Sequence, residues 1–408
     1  MSTSRRLTYI SQGNIPSRWA HSIQSSQMAR AFAQIGLDVE LLVQSSYSEQ
    51  LLLPVRAQLG RVLEGDRALP TLIGKNTHNT DPQNGSFRIQ RLNTSWRSRR
   101  DAWGFFQSTE HSYPDFIRAA VAFCERTPPD IVFTRSFEAA VATVNAGIAT
   151  AIETHGNPTL SPSRLANVKR LVELQNNPAF KGIVTISPVL QREFVNVGMS
   201  LERVLVWPDA VDLEPFIKAQ SEMPPSRPAG TPLRVGYCGQ LYEWKGVGIL
   251  IETARQCPQM SFTIIGGNPE DVLTWKNKAQ DLTNVCFRGY IPNQEVPLAL
   301  QEFDVLCLPN LSSCEDREWM SPLKLYEYMG AARAIVASDL PAIRQVISHG
   351  ENGILCAPDS SKSLSEALNL LEQDEKLRHS LSHNAWTFVQ RYTWQNRARA
   401  ILDWVNGI

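Results

Sequence analysis

Residues 319–339 read WMSPLKLYEYMGAARAIVASD, and the rest of the chain is organised around this stretch. Ser321 followed by Pro322 is a helix-start signal. A serine hydroxyl can cap free amide groups, and proline at the first helical position gives up an N–H that would go unbonded anyway. Leu323, Leu325, Tyr326, Met329 and Ala332 then recur at helical spacing, and AIVA at 334–337 reads as a short buried strand. Lys324 and Glu327 lie three apart on one face of that helix. A bare helix N-terminus draws anions through its unpaired N–H groups and its dipole, so this lysine and carboxylate suit a reader of phosphate and then sugar. The alternative is an amphipathic helix with one surface ion pair, a common and individually weak feature.

Around this stretch the second half of the chain alternates strand and helix. Leu233–Gly239 is a strand ending in glycine, and GQLYEWKGVGILIETA follows, with Lys245 and Gly246 opening an amphipathic helix that carries Val247, Ile249, Leu250, Ile251 and Ala254. Ser261–Gly267 is a strand ending in Gly266 and Gly267, followed by a helix to about Ala279. Asn284–Ile291 gives another strand and turn, and Phe303–Pro309 leads back to the central helix. Gly353–Pro358 is the last strand, a helix spans about 363–371, and YTWQNRARAILDWV is a final amphipathic helix.

The first half alternates in the same way. Leu7–Ile10 and Val39–Val43 are strands on either side of a glycine-bearing loop (Gly13, Asn14) and a helix. The dinucleotide fingerprint G-x-G-x-x-G is absent. Strands at 87–92, 130–134, 149–153 and 182–187 complete an α/β layer that is expected to be parallel. AIETHGNP puts His155 just past the C-terminal end of a strand, where open α/β sheets place ligand groups, although a lone histidine is more often structural. Arg88, Arg91, Arg97, Arg99 and Arg100, interleaved with Trp96 and Trp103, suit an acidic acceptor or an anionic membrane surface. A solvated loop is the competing reading. The proline-rich stretch SEMPPSRPAGTP (221–232) reads as a linker. Domains are expected at 1–215 and 216–389.

A length of 408 residues exceeds what one core sustains. Lys and Arg total 40 against 40 Asp and Glu, which argues against a generic nucleic-acid binder. Seven cysteines, widely spaced and without a C-x-x-C pair, argue against a disulfide framework or a zinc site and fit a reducing cytosol. No apolar run has the length of a signal peptide core or a bilayer span. An Asp-x-Asp metal motif is also absent.

The central stretch resembles the donor-site signature of family 4 retaining glycosyltransferases of GT-B fold (glycosyl transferases group 1), in which two glutamates are separated by seven residues. Glu327 matches the second glutamate. Trp319 stands in the place of the first, with Glu318 one residue out of register, and the form S-P-x-K-x-x-E-Y-M resembles one branch of that family. Gly239, Leu241, Lys245 and Gly246 match the motif G-R-L-x-x-x-K-G, with Gln240 in the arginine place. The resemblance covers the second domain well and the first loosely.

It implies two Rossmann-like domains facing a central cleft, with a C-terminal helix (390–408) crossing back to the first. The implied activity is transfer of a hexose-type unit, with retention, from a nucleotide-sugar to a hydroxyl of a glycan, lipid-linked or small-molecule acceptor. The nucleotide-sugar is a co-substrate, with no cofactor and no metal. In this reading Lys245 and Lys324 meet the diphosphate beside the helix start at Ser321, Pro322 and Leu323. Glu327 binds the ribose and His155 the sugar, Tyr290 and Ile291 read the base through their backbone, and Gly13, Gly239, Gln240, Gly266 and Gly267 line the donor. The expected location is cytoplasmic, with a peripheral contact at an anionic membrane. Two rivals remain: a nucleotide-sugar binding protein without catalysis, and a nucleotide-sugar 2-epimerase of the same fold.

Overall fold

The computed structural model describes residues 5–11, 20–44, 87–92, 99–100, 106–107, 112–222 and 230–407. They fall into two compact units, one of 1–185, 190–207 and 397–408, the other of 186–189 and 208–396. The division at Trp207/Pro208 lies upstream of the 215/216 boundary read from the sequence. The reason is local: Phe216 is buried in the second unit's core, and Gln220 Nε2 donates to the Gly330 carbonyl at 2.9 Å. Residues 223–229 of the expected linker lie outside the described residues.

In the first unit the strands are β1 (Arg6–Ser11), β2 (Asp38–Gln44), β3 (Arg88–Leu92), the two-residue pair β4 (Arg99–Arg100) and β5 (Phe106–Gln107), β6 (Ile131–Thr134), β7 (Thr150–Thr154), β8 (Phe180–Thr185) and β9 (Val204–Val206). Seven of them form one parallel sheet in the order β3-β2-β1-β6-β7-β8-β9, and β4 pairs with β5 antiparallel. Every residue of β6 and β7 is buried, as expected where helices cover both faces of a parallel sheet.

The second unit has β10 (Arg234–Cys238), β11 (Ser261–Ile265), β12 (Val285–Gly289), β13 (Val305–Leu308), β14 (Ala334–Ser338) and β15 (Ile354–Cys356), all parallel, in the order β12-β11-β10-β13-β14-β15. Period-two alternation divides its core between the two faces of the sheet. Val305, Cys307, Ala334 and Val336 join one apolar cluster with Leu250, Ile251 and Trp275, while Leu306, Leu308, Ile335 and Ala337 join another with Leu325, Tyr326 and Met329. From β10 the chain winds outward through β11 and β12, and from β13 the other way through β14 and β15. The strand order therefore switches between β10 and β13, and open α/β sheets bind ligands beyond the carboxyl ends of the strands at such a point. The segment that follows β10 carries Lys245, and the one that follows β13 carries Lys324 and Glu327.

Candidate active site

The segment after β10 turns sharply. Lys245 does not open the helix, as the sequence suggested, but closes a single 3-10 turn (Glu243–Lys245), and the α-helix runs Val247–Gln256. Between them Gly246 adopts φ 80°, and a Cβ there would stand 1.7 Å from the Pro309 carbonyl oxygen. This left-handed residue lets the 3-10 turn pack against the end of β13 and aims Lys245 inward. The Lys245 ammonium lies 3.6 Å from the centroid of the Trp244 ring, whose other neighbour is Tyr242, stacked at 5.9 Å.

The helix after β13 is Leu323–Gly330. Its cap is also not the one expected: Pro322 occupies the N-cap with no side-chain hydrogen bond. The Ser321 hydroxyl instead accepts the Asp209 amide at 2.9 Å, so it is not turned to the helix end. The preceding loop is tied down by Leu311 N–H to the Trp244 carbonyl (3.0 Å), Arg317 Nη1 to the Ser312 carbonyl (2.7 Å) and Met320 N–H to the Asp316 carbonyl (2.8 Å).

Lys324 and Glu327 do not make the ion pair offered as the alternative reading. Lys324 Nζ donates to Tyr237 Oη at 2.8 Å and lies 4.2 Å from that ring's centroid. The Tyr237 hydroxyl proton goes to the Gln240 carbonyl at 2.6 Å, which leaves an oxygen lone pair for the lysine. A Cβ at Gly239 would come within 2.5 Å of Lys324 Nζ, so glycine here makes room for the ammonium. The Glu327 carboxylate has no hydrogen bond or ion pair among the described residues. At the next residue, Tyr328 Oη accepts the Cys238 amide (2.9 Å) and donates to the Cys238 carbonyl (3.2 Å), pinning the helix to the end of β10.

Three half-buried ionisable groups thus act on one another without a direct ion pair between them. Burial lowers the pKa of Lys245, opposed by Asp316 and Cys314. Lys324 falls well below the ordinary lysine value, through burial first and the like charge of Lys245 second. Burial pushes the Glu327 carboxyl up to about 7, with Lys324 pulling it back down. Asp316 and Glu327 offset the charge of the two lysines only in part, and a bound anion would offset it further.

The other residues expected at the donor lie at strand ends of the same sheet. Gly266 and Gly267 follow β11, and the Gly266 amide donates to the Gly289 carbonyl at 2.7 Å. Tyr290 and Ile291 follow β12, with the Tyr290 side chain 54% exposed and Ile291 packed on the core. Trp319 and Glu318 are half-buried, and Glu318 pairs with Arg317 at 3.3 Å. Gly13 and Asn14 lie outside the described residues, as do Trp96, Arg97 and Trp103. Within the basic stretch, Arg88 is held by Asp38 (2.7 Å) and Glu40 (3.6 Å), which uses its charge internally.

In the first unit His155 does follow β7. Its Nε2 lies 2.6 Å from Glu153 Oε1, and the other carboxylate oxygen of Glu153 accepts from Arg397 Nη1 at 2.7 Å. Both Glu153 and Arg397 are sealed from water. Burial disfavours the Glu153 carboxylate, but Arg397 and His155 outweigh it and hold the group well below the usual carboxylate range. The sequence reading did not anticipate Glu153, Arg397 or Tyr237.

Residues 232–374 match the family model described as glycosyl transferases group 1. Over 200 residues the chain is 28% identical to the amylovoran biosynthesis glycosyltransferase AmsK of Erwinia amylovora, which is 47% of this chain and 48% of the relative. Over 155 residues it is 30% identical to a phosphatidyl-myo-inositol mannosyltransferase of Mycolicibacterium smegmatis, which is 37% of this chain and 38% of the relative. The chain therefore spans about half the length, or less, of these curated relatives. Among solved structures, Anabaena HepE in complex with UDP superposes with a TM-score of 0.68 at 16% identity, covering 99% of this chain and 100% of that one. The sucrose-phosphate synthase of Thermosynechococcus elongatus gives 0.69 at 16% identity, covering 99% and 98%. Residues 232–374 are thus a glycosyl transferases group 1 domain, carried in a chain of GT-B fold.

Proposed function

We propose that this protein is a metal-independent, retaining glycosyltransferase of family 4 that moves a hexose-type unit from a nucleotide-sugar to an acceptor hydroxyl in polysaccharide or glycoconjugate synthesis. The observation that carries the reading is the pair of half-buried lysines, Lys245 and Lys324, beside a carboxylate that no protein group satisfies. As the bond from the anomeric carbon to the diphosphate breaks, negative charge grows on the leaving oxygen, and preorganised cations in a dry site stabilise it. The acceptor oxygen bonds to the anomeric carbon on the face the diphosphate leaves, and its proton passes to a phosphate oxygen. Glu327 accepts from the ribose hydroxyls, and His155 is assigned to the sugar. With Gln240 in the arginine place, Lys245 carries more of the diphosphate charge, with help from Lys324.

The solved Anabaena relative binds UDP, which supports a uridine nucleotide as the first donor to try. Seven unpaired cysteines support a reducing compartment. Among the described residues no helix is long and apolar enough to cross a membrane. A thermal-shift panel of nucleotide-sugars tests the reading: one donor class should raise the melting temperature in wild type and raise it less after Glu327→Gln. If no nucleotide or nucleotide-sugar shifts the melt, the donor-site reading fails.

A further inference from the structure

A chain of hydrogen bonds in the first unit has its polarity set at both ends. Arg135 Nη1 donates to Gln24 Oε1 at 2.8 Å, and Gln24 Nε2 lies 3.4 Å from His155 Nδ1. His155 Nε2 lies 2.6 Å from Glu153 Oε1, and Glu153 Oε2 accepts from Arg397 Nη1. Arginine can only donate. Gln24 must therefore turn its carbonyl to Arg135, which leaves its amide N–H groups for the histidine, and Nδ1 has to accept. The single ring proton then sits on Nε2, where the Glu153 carboxylate takes it.

The charges around the ring agree with this arrangement. The Glu153 charge is already paired with Arg397, buried on its far side. Arg135, on the segment after β6, adds a further positive charge on the Gln24 side, and the buried Tyr9 phenol beside Glu153 carries no charge to oppose it.

We propose that this chain of groups holds His155 as the neutral Nε2–H tautomer, so that its Nδ1 accepts a hydrogen bond from one hydroxyl of the bound sugar. Arg397, Glu153, Gln24 and Arg135 are positioning residues: they act on the substrate only through the ring. The Gln24 contact is the long one, at 3.4 Å, and a sugar hydroxyl displaces it at little cost. The sugar contact rests on the proposed function, whereas the tautomer does not.

The test is long-range nitrogen NMR on the full chain labelled at histidine, with the His155 signals identified by their loss in His155→Gln. At pH 7 the wild-type ring should show a protonated Nε2 and a bare Nδ1. Gln24→Glu presents a carboxylate to Nδ1 and should convert the ring to the doubly protonated form at the same pH, with at least a tenfold fall in kcat/KM for transfer. A wild-type ring protonated at Nδ1 or at both nitrogens overturns the proposal, as does a Gln24→Glu spectrum identical to wild type. If the tautomer is as stated but no nucleotide-sugar is turned over, the proposed function fails and takes the sugar contact with it.

Discussion

Replacing Glu327 by glutamine should make the ligand-free protein more stable at alkaline pH and less able to hold its donor. Burial raises this carboxyl from its ordinary 4.5 to about 7, partly offset by Lys324. The folded state therefore binds the proton more tightly than the unfolded chain does. Its contribution to stability is complete below pH 4.5 and is lost as pH rises toward about 7, above which the folded protein holds a poorly solvated charge. At about 1.36 kcal/mol per pH unit, and allowing for the side chain's partial exposure, the cost is about 2–3 kcal/mol. In a unit of this size each kcal/mol moves Tm by about 2–4 °C, so Glu327→Gln should melt roughly 5–10 °C above wild type at pH 8 and close to it at pH 5. With donor present the order should narrow or reverse, since a ligand at a hundred times its Kd adds about 2.7 kcal/mol to a protein that still binds it. Circular dichroism melts at both pH values, with and without nucleotide-sugar, read all of this out. Equal melting temperatures at pH 8 would refute the buried, unpartnered carboxylate. A variant that keeps the full donor-induced shift would refute its role at the ribose.

Two further substitutions divide the site. Lys245→Ala should lower kcat and kcat/KM together, by about 2.7–4 kcal/mol in activation free energy, because the charge it meets grows as the bond breaks. An effect confined to KM in steady-state assays would place this lysine in ground-state binding instead. Tyr237→Phe removes the hydroxyl that holds Lys324 Nζ, so it should cost roughly tenfold in kcat/KM and nothing more once Lys324 is already methionine. Additive losses in that double-mutant cycle would show that the tyrosine acts elsewhere.

The alternating strand and helix patterns made both sheets legible, because fully buried parallel strands such as AIVAS and IVFT are continuous apolar runs. Two of the elements that escaped that reading show why. β9 has three residues and lies in VLVWPDAV, where proline and aspartate follow at once. The helix Glu375–Val389 carries its buried positions Arg378, Leu381, Ala385 and Val389 among polar neighbours, and one of them is itself charged. In the candidate site, Lys245, Lys324 and Glu327 stand out in the sequence through the motifs that resemble the family's, since spacing alone left a surface ion pair equally open. Tyr237 could not, since inside an apolar strand it looks like any core aromatic. The Glu153–Arg397 contact joins residues 244 apart, and an arginine in an amphipathic helix gives no local sign that it will be fully buried. The cap at Ser321 was misread because the competing donor, the Asp209 amide, comes from a distant part of the chain.

The central claim is transfer of a sugar without a metal. Its most direct test is NMR-monitored incubation of the full chain with the donor selected by thermal shift and a hydroxyl acceptor, in excess EDTA. The account predicts free nucleoside diphosphate and a glycoside with the anomeric configuration of the donor, both formed about a hundredfold or more slowly with Lys245→Ala. Turnover that stops on chelation and returns with manganese or magnesium, an inverted product, or a donor left intact beside every acceptor would contradict it.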